Sequence, residues 1–241
     1  LRDKKHYTLC LPQNTTGQYR KKRQHRAKPI LNMQASNTGI KEMAPSDQSA
    51  NTLILASSSK YRLQLLNQIG LHPLCIAPDI DETPKPREPA EALASRLSAE
   101  KARAVAKAHH ASIIIAGDQV CDVDGAILGK PGNAETAKQQ LTLCSGREVI
   151  FHTGLCVLNT TNNKLQIYTE RVLVEFRALS SQEISTYITK EPAFDCAGSF
   201  KMEGLGISLF QRIRSEDPNS LIGLPLIKLC EFLRNEGLSV I

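Results

Sequence analysis

Asp118 and Lys130 stand twelve positions apart, an acid and a base, with the turn signal Asp124-Gly125 between them. A hairpin there folds the segment back, so that both charges can reach one cleft. The plainer alternative is that Asp118 caps a strand and Lys130 is a solvated lysine. Ser57, Ser58 and Ser59 follow the apolar run Leu53–Ala56 and precede Tyr61 and Arg62. A small-residue turn between a strand and a helix start presents N–H groups to a phosphate, although three serines equally make a turn and an N-cap. Asp79, Asp81 and Glu82 lie in a proline-stiffened loop between Pro78 and Pro86. Three such carboxylates can hold a hard divalent cation, or can simply be solvated. Lys201 and Glu203 sit in an irregular, glycine-rich stretch over 194–206 that suits a site loop, or form a surface ion pair of little consequence.

Those residues need elements to hold them. Ile113, Ile114 and Ile115 read as a buried strand that delivers Gly117 and Asp118 at its carboxyl end, the edge where open α/β sheets bind ligands. Leu53–Ala56 reads as a second short strand. A helix follows with Leu63, Leu65, Leu66 and Ile69 on its apolar side, ended by Gly70. Leu74–Ala77 suits a strand, and Pro89 opens a long helix to Ala108 that carries Lys101. Asn133 caps a helix to Cys144, and Ser180 or Ser181 starts another to Lys190. Val149–Val157 and Leu165–Phe176 read as long strands of a hairpin joined by Asn162-Asn163. Ile207–Ile213 reads as a strand. Asp217-Pro218-Asn219 starts the last helix, with Leu224, Ile227, Leu229 and Leu233 as its buried side. Alternating strands and helices with one long hairpin predict an α/β protein built on a mixed sheet.

Composition narrows the function classes. With 241 residues, 41% of them hydrophobic, the chain can bury a full core as one domain or two small ones. No run approaches the length of a membrane span. Seven widely spaced cysteines without a C-x-x-C argue against a disulfide framework and a thiolate zinc site, and fit a reducing cytoplasm. Residues 1–42 hold 10 Lys/Arg against 2 Asp/Glu, leaving 20 against 22 for the rest. The net charge of +6 therefore resides in the amino-terminal segment, and a basic face for nucleic acid is not expected on the main domain. Residues 1–50 lack sustained periodicity and read as a disordered basic extension or a start-site artefact, with Met33 and Met43 as candidate starts. A nucleic-acid-binding arm and a transit peptide fit them less well. The main domain is placed at 51–241.

Taken in order, several of these pieces resemble the Maf family of nucleoside triphosphate pyrophosphatases. They are Leu53–Ser59 with Arg62, Asp79–Thr83, Ala99–Ala102, Gly117–Val120, Gly129–Pro131, Ser145-Gly146, His152–Gly154, Asp195–Gly204 and Leu221–Pro225. Nine pieces in family order cover essentially all of 52–237. Tyr61, Gln119 and Glu203 resemble the marks of the branch that hydrolyses 7-methyl-GTP. Lys60 stands where the family usually has proline, and Leu63 where a second arginine is common.

The resemblance implies a two-lobed α/β fold, a mixed β-sheet with flanking helices and a central cleft, as in inosine triphosphatase-like proteins. It implies a homodimer and a divalent metal, Mg²⁺ or Mn²⁺, held by Glu82 and Asp118. Asp118 resembles the family's proton acceptor. Arg62, Lys101 and Lys130, with the turn from Ser57 to Ser59, would bind phosphates, while Tyr61, Gln119 and Glu203 would select the base. Gly125 to Lys130 lacks the spacing and the Ser/Thr of a P-loop. Two rival readings remain: a dTTP/UTP pyrophosphatase of the same family, and a non-catalytic binding protein that regulates cell division.

Overall fold

A computed structural model describes residues 51–241, and the expectations for the basic amino-terminal segment fall outside the described residues. The elements in chain order are β1 (Thr52–Leu55), α1 (Lys60–Gln68), β2 (Leu74–Cys75), α2 (Ala90–Ala106), β3 (Ser112–Val123), β4 (Ala126–Leu128) and α3 (Ala134–Cys144), followed by β5 (Glu148–Asn159), β6 (Lys164–Phe176), α4 (Ser181–Lys190), β7 (Phe210–Arg214) and α5 (Leu226–Arg234). Seven strands form one mixed sheet in the order β2-β1-β3-β5-β6-β7, with β4 pairing only the far end of β3. The β2-β1-β3 part is parallel and the rest antiparallel.

Side-chain alternation along β3 explains where the helices go. Ile114 and Ala116 pack on one face against Ala99, Ala102 and Val105 of α2. Val120 continues that face against Leu93, Ala94 and Leu97. The opposite face carries two separate cores. Ile113 and Ile115 join Leu66 of α1 and Leu229 and Leu233 of α5. Cys121 and Val123 join Leu141 of α3, Ile184 of α4 and Phe200. Ile113, Ile114 and Ile115 are at most 2% exposed, and burying such a side chain contributes about 1.5–3 kcal/mol. Between the two cores, on the same face, stand Gly117 and Gln119. The two lobes are these two cores, with β3 and β5 running through both.

The cleft follows from a break in pairing. β1 accompanies β3 only from Ser112 to Ile115, and β4 only from Cys121 to Val123. Residues 116–120 therefore have no strand beside them on that edge. Asp124 and Gly125 both take positive φ, 52° and 86°, which closes the expected two-residue hairpin between β3 and β4.

Four expectations need correction. β3 does not end at Asp118, which is mid-strand; what ends there is the parallel sheet, because β1 stops at Leu55 opposite Ile115. Only Leu74 and Cys75 of the expected strand over 74–77 pair with β1. Residues 205–209 form a 3-10 turn, and pairing with β6 begins at Phe210. Pro218–Leu221 is likewise a 3-10 turn, and α5 starts only after Gly223, at φ +139°, and Pro225. Ile227 is 63% exposed. Leu226, Leu229 and Leu233 share one face at spacings of three and four, and Ile227 lies off that face.

Candidate active site

Ten of the residues singled out from the sequence line one cleft of about 570 Å³, namely Ser57, Ser59, Tyr61, Arg62, Glu82, Lys101, Asp118, Gln119, Lys130 and Glu203, whereas Asp79 and Asp81 are not among its lining. They arrive from both faces of the sheet. α2 brings Lys101 to the face of Asp118, and α1 brings Arg62 to the opposite face beside Gly117.

Asp118 is 9% exposed and its Oδ1 accepts a hydrogen bond from Lys101 Nζ at 2.6 Å. The same ammonium lies 2.8 Å from Glu82 Oε1. Lys101, 6% exposed, is thus a bridge between two carboxylates, whereas the sequence suggested only a phosphate contact. A buried pair of this kind costs about 3–5 kcal/mol when one partner is removed, because the other charge is stranded. Asp118 Oδ2 and Glu82 Oε2 have no hydrogen-bond partner among the described residues.

The turn after β1 is held by its own serines. Ser57 Oγ accepts from Ser59 N at 3.1 Å and from an Arg62 guanidinium N–H at 3.2 Å. Ser59 caps α1 through Arg62 N. The N–H groups of Lys60 and Tyr61, in the first turn of α1, find no acceptor among the described residues, the arrangement by which helix starts bind phosphate. Arg62 Nε donates to Gly223 O at 3.0 Å. Burial lowers the Arg62 pKa, and the charges of Asp118 and Glu82 oppose that fall.

Gln119 Nε2 donates to Ser220 O, Leu221 O and Thr153 Oγ1 at 2.9–3.1 Å. Two of these acceptors are carbonyls, so the amide nitrogen must face them and the amide oxygen is left as the free polar atom. The Tyr61 hydroxyl donates to the Asp195 carboxylate at 3.3–3.4 Å. Burial chiefly, with Cys196 and Asp195 adding to it, raises the Tyr61 pKa, so the phenol stays protonated. Lys60 pairs with Asp195 at 3.4 Å, its ammonium 5.0 Å from the Tyr61 ring centroid. Burial pushes the neighbouring Cys196 thiol up to about 11, which excludes a thiolate nucleophile at neutral pH.

Lys130 and Glu203 are exposed at the rim and take part in no ion pair among the described residues, so the alternative of a Lys201–Glu203 surface pair is not what forms. Their loops are tied by α3: Gln140 Nε2 donates to Gly129 O at 3.0 Å, and Ser199 Oγ donates to Gln140 Oε1 at 2.5 Å.

The three-carboxylate reading of the acidic loop is not realised. Asp81 turns back to accept from Thr83 N at 2.9 Å, Asp79 is exposed, and no group of three or more metal-ligating side chains occurs among the described residues. Glu82 and Asp118 do converge, each with an oxygen free. That donor set fits the sparse mode in which Mg²⁺ is held by one or two carboxylates, with water and phosphate completing its shell.

Two acids near the cleft residues were given no role of their own in the sequence reading: Asp195, which accepts from Tyr61, and Glu170, buried on β6. Glu170 carried a signal, since it shares the inward register of Val172, Val174 and Phe176 on β6, where an acid is out of place.

The model of the family described as Maf-like protein matches residues 52–236. A protein from Chromohalobacter salexigens named 7-methyl-GTP pyrophosphatase is 52% identical over 186 residues, 77% of this chain and 96% of its own. One of the same name from Nitrosococcus oceani is 47% identical over 190 residues, 79% of this chain and 96% of its own. The solved structure of the Staphylococcus aureus Ham1 protein is similar at a TM-score of 0.47 and 15% identity, over 77% of this chain and all of that one. The chain belongs to the Maf-like protein family.

Proposed function

We propose that this cleft hydrolyses nucleoside triphosphates between the α and β phosphates, releasing monophosphate and diphosphate, with 7-methyl-GTP as the preferred substrate. The observation that carries the reading is the presence in one cleft of a buried carboxylate, Asp118, the unpaired first-turn N–H groups of α1 and Arg62. The relatives' name supplies the substrate. Asp118 Oδ2 accepts the proton of the attacking water, and Lys101 holds the other oxygen and so sets the direction of the free one. Arg62, Lys130 and the first-turn N–H groups of α1 bind the phosphates and stabilise charge that grows as the bond breaks. Glu82 and Asp118 would hold a Mg²⁺ or Mn²⁺, which supplies further charge neutralisation on the phosphates.

Base choice follows from what the cleft presents. Methylation at N7 makes the purine ring cationic, and an aromatic face attracts such a ring by about 0.5–2 kcal/mol. Tyr61 offers that face. Gln119, its donors engaged by protein carbonyls, offers only an acceptor, and Glu203 offers acceptors too. Guanine presents N1–H and an exocyclic amine on one edge. Uracil and thymine present a single N–H between two carbonyls, which two acceptors would oppose.

The test is kcat/KM for 7-methyl-GTP, GTP, dTTP and UTP with Mg²⁺ or Mn²⁺, scored by diphosphate release. Preference for 7-methyl-GTP supports the reading, and preference for dTTP or UTP assigns the other branch. No release from any nucleotide, in either metal, favours the binding role. No helix among the described residues is long and apolar enough to cross a membrane. We read the protein as a cytoplasmic homodimer that acts on free nucleotide and not on nucleic acid. Light scattering at twice the 26.5 kDa chain mass checks the dimer.

A further inference from the structure

Gln119, Thr153 and Glu170 are direct cross-strand neighbours on β3, β5 and β6. They form one polar row across the sheet, between the two apolar cores of that face. Glu170 is 3% exposed and no cation lies within salt-bridge distance of it among the described residues. Its Oε1 instead accepts from Ser215 Oγ at 2.7 Å, Glu216 N at 2.9 Å and Asp217 N at 2.8 Å, and its Oε2 accepts from Ser220 Oγ at 2.9 Å. A buried carboxylate with four donors is a strong constraint on the segment that supplies them. That segment, 215–221, contributes the Ser220 and Leu221 carbonyls that accept from Gln119, and Ser220 O also accepts from Thr153 Oγ1 at 2.9 Å.

We propose that Glu170 is a positioning residue for substrate choice: by clamping residues 215–221 it holds two carbonyls against Gln119 and so turns the amide oxygen outward, toward the base. The orientation of Gln119 is not set by its own strand. An amide presents a donor or an acceptor according to which way it is rotated, and the clamped carbonyls remove the choice. With the clamp loosened, Gln119 can turn its NH₂ to the cleft and accommodate a pyrimidine carbonyl. The inference rests on the reading of Gln119 as a base contact, and its consequence is a loss of discrimination between guanine and pyrimidine nucleotides.

The experiment compares Glu170→Met, which keeps length and removes both acceptors, with Glu170→Gln, which keeps one carbonyl oxygen. The ratio of kcat/KM for 7-methyl-GTP over UTP is expected to fall about tenfold in Glu170→Met, the value of one to two net hydrogen bonds. Glu170→Gln should restore most of it. In a Gln119→Ala background, Glu170→Met should leave the ratio unchanged, because the residue through which it acts is gone. A merely structural role would lower both substrates alike in both backgrounds, and that result overturns the proposal. A second readout needs no turnover: hydrogen exchange of the Gln119 side-chain amide, identified by its absence in Gln119→Ala, should accelerate at least about tenfold in Glu170→Met. If Glu170→Met does not fold, Ser220→Ala is read the same way, since it removes the Oε2 contact alone. Unaltered exchange in a folded variant refutes the clamp. A wild-type enzyme without preference for 7-methyl-GTP refutes the functional reading instead, and the exchange measurement still decides the clamp.

Discussion

At the scale of single residues, Asp118 is defined by what holds it. One oxygen is engaged by Lys101 and the other is free in the cleft. Asp118→Asn keeps the shape and removes the proton acceptor, so turnover should drop by roughly 10²–10⁴-fold while nucleotide binding survives. Equilibrium binding of a non-hydrolysable nucleotide beside kcat measures both. More than about a tenth of wild-type activity would remove Asp118 from its assigned role. The ring and the hydroxyl of Tyr61 can be tested separately. Tyr61→Phe loses the hydroxyl's contacts with Asp195 and Cys196 and should retain most of the preference for 7-methyl-GTP over GTP, whereas Tyr61→Ala loses the aromatic face and should reduce that preference by about 2- to 30-fold. Equal effects of the two substitutions on the kcat/KM ratio would mean that the ring does not stack on the base.

Among the elements, α2 matters most, because it sets Lys101 against the sheet. Its approach depends on Gly154, which faces Asp118 across β5: a Cβ there would collide with Ala94 O and Ser98 Oγ of α2. Gly154→Ala should therefore destabilise by about 1–3 kcal/mol in urea unfolding and lower kcat by displacing Lys101. A stable variant with unchanged kcat would show that α2 can shift without cost to the site. The loop after Glu82 is pinned to the same helix by Glu88, whose carboxylate accepts from Arg96 at 2.6 and 2.7 Å and from Lys85 N at 2.9 Å. These bonds, Arg96 first, lower the Glu88 pKa to about 2. A depressed carboxylate contributes stability that is complete above its unfolded value, about 4.3, and is lost as pH falls through about 2. The stability difference between wild type and Glu88→Gln should accordingly be present at pH 7 and shrink to nothing across that acid window. A difference that persists below it would show that Glu88 acts through packing.

For the whole molecule, the family match begins at residue 52, while the basic excess lies in residues 1–42. We propose that those 42 residues are dispensable for the reaction. Their deletion should leave kcat/KM and the thermal midpoint nearly unchanged, and a fall in either would assign them a part in the domain. Seen across the whole domain, the ten candidate residues come from six separate stretches between Ser57 and Glu203, and every one lines the same cleft.

Local sequence determined the parts. The branched run at 113–115, the cap Asn133, a cap among the three serines, a helix start at Ser180 or Ser181 and the Asp124-Gly125 turn are short-range signals, and the structure realises each, with Ser59 and Ser180 as the caps. The motif residues, through their resemblance to a family, pointed to a shared cleft and to its chemistry. Tertiary structure decided how the parts meet. The opening over 116–120 exists because β1 stops before β4 begins, and no pattern within β3 reports where its neighbours end. The bridge from Lys101 to Glu82 and Asp118 joins residues 17 to 19 positions apart through packing of α2 on the sheet. The row from Gln119 to Glu170 spans three strands, and its meaning depends on register. Periodicity in a sequence reports which way one side chain faces. It carries no information on which distant side chain stands opposite, because pairing is settled by the burial and hydrogen bonding of the whole sheet at once.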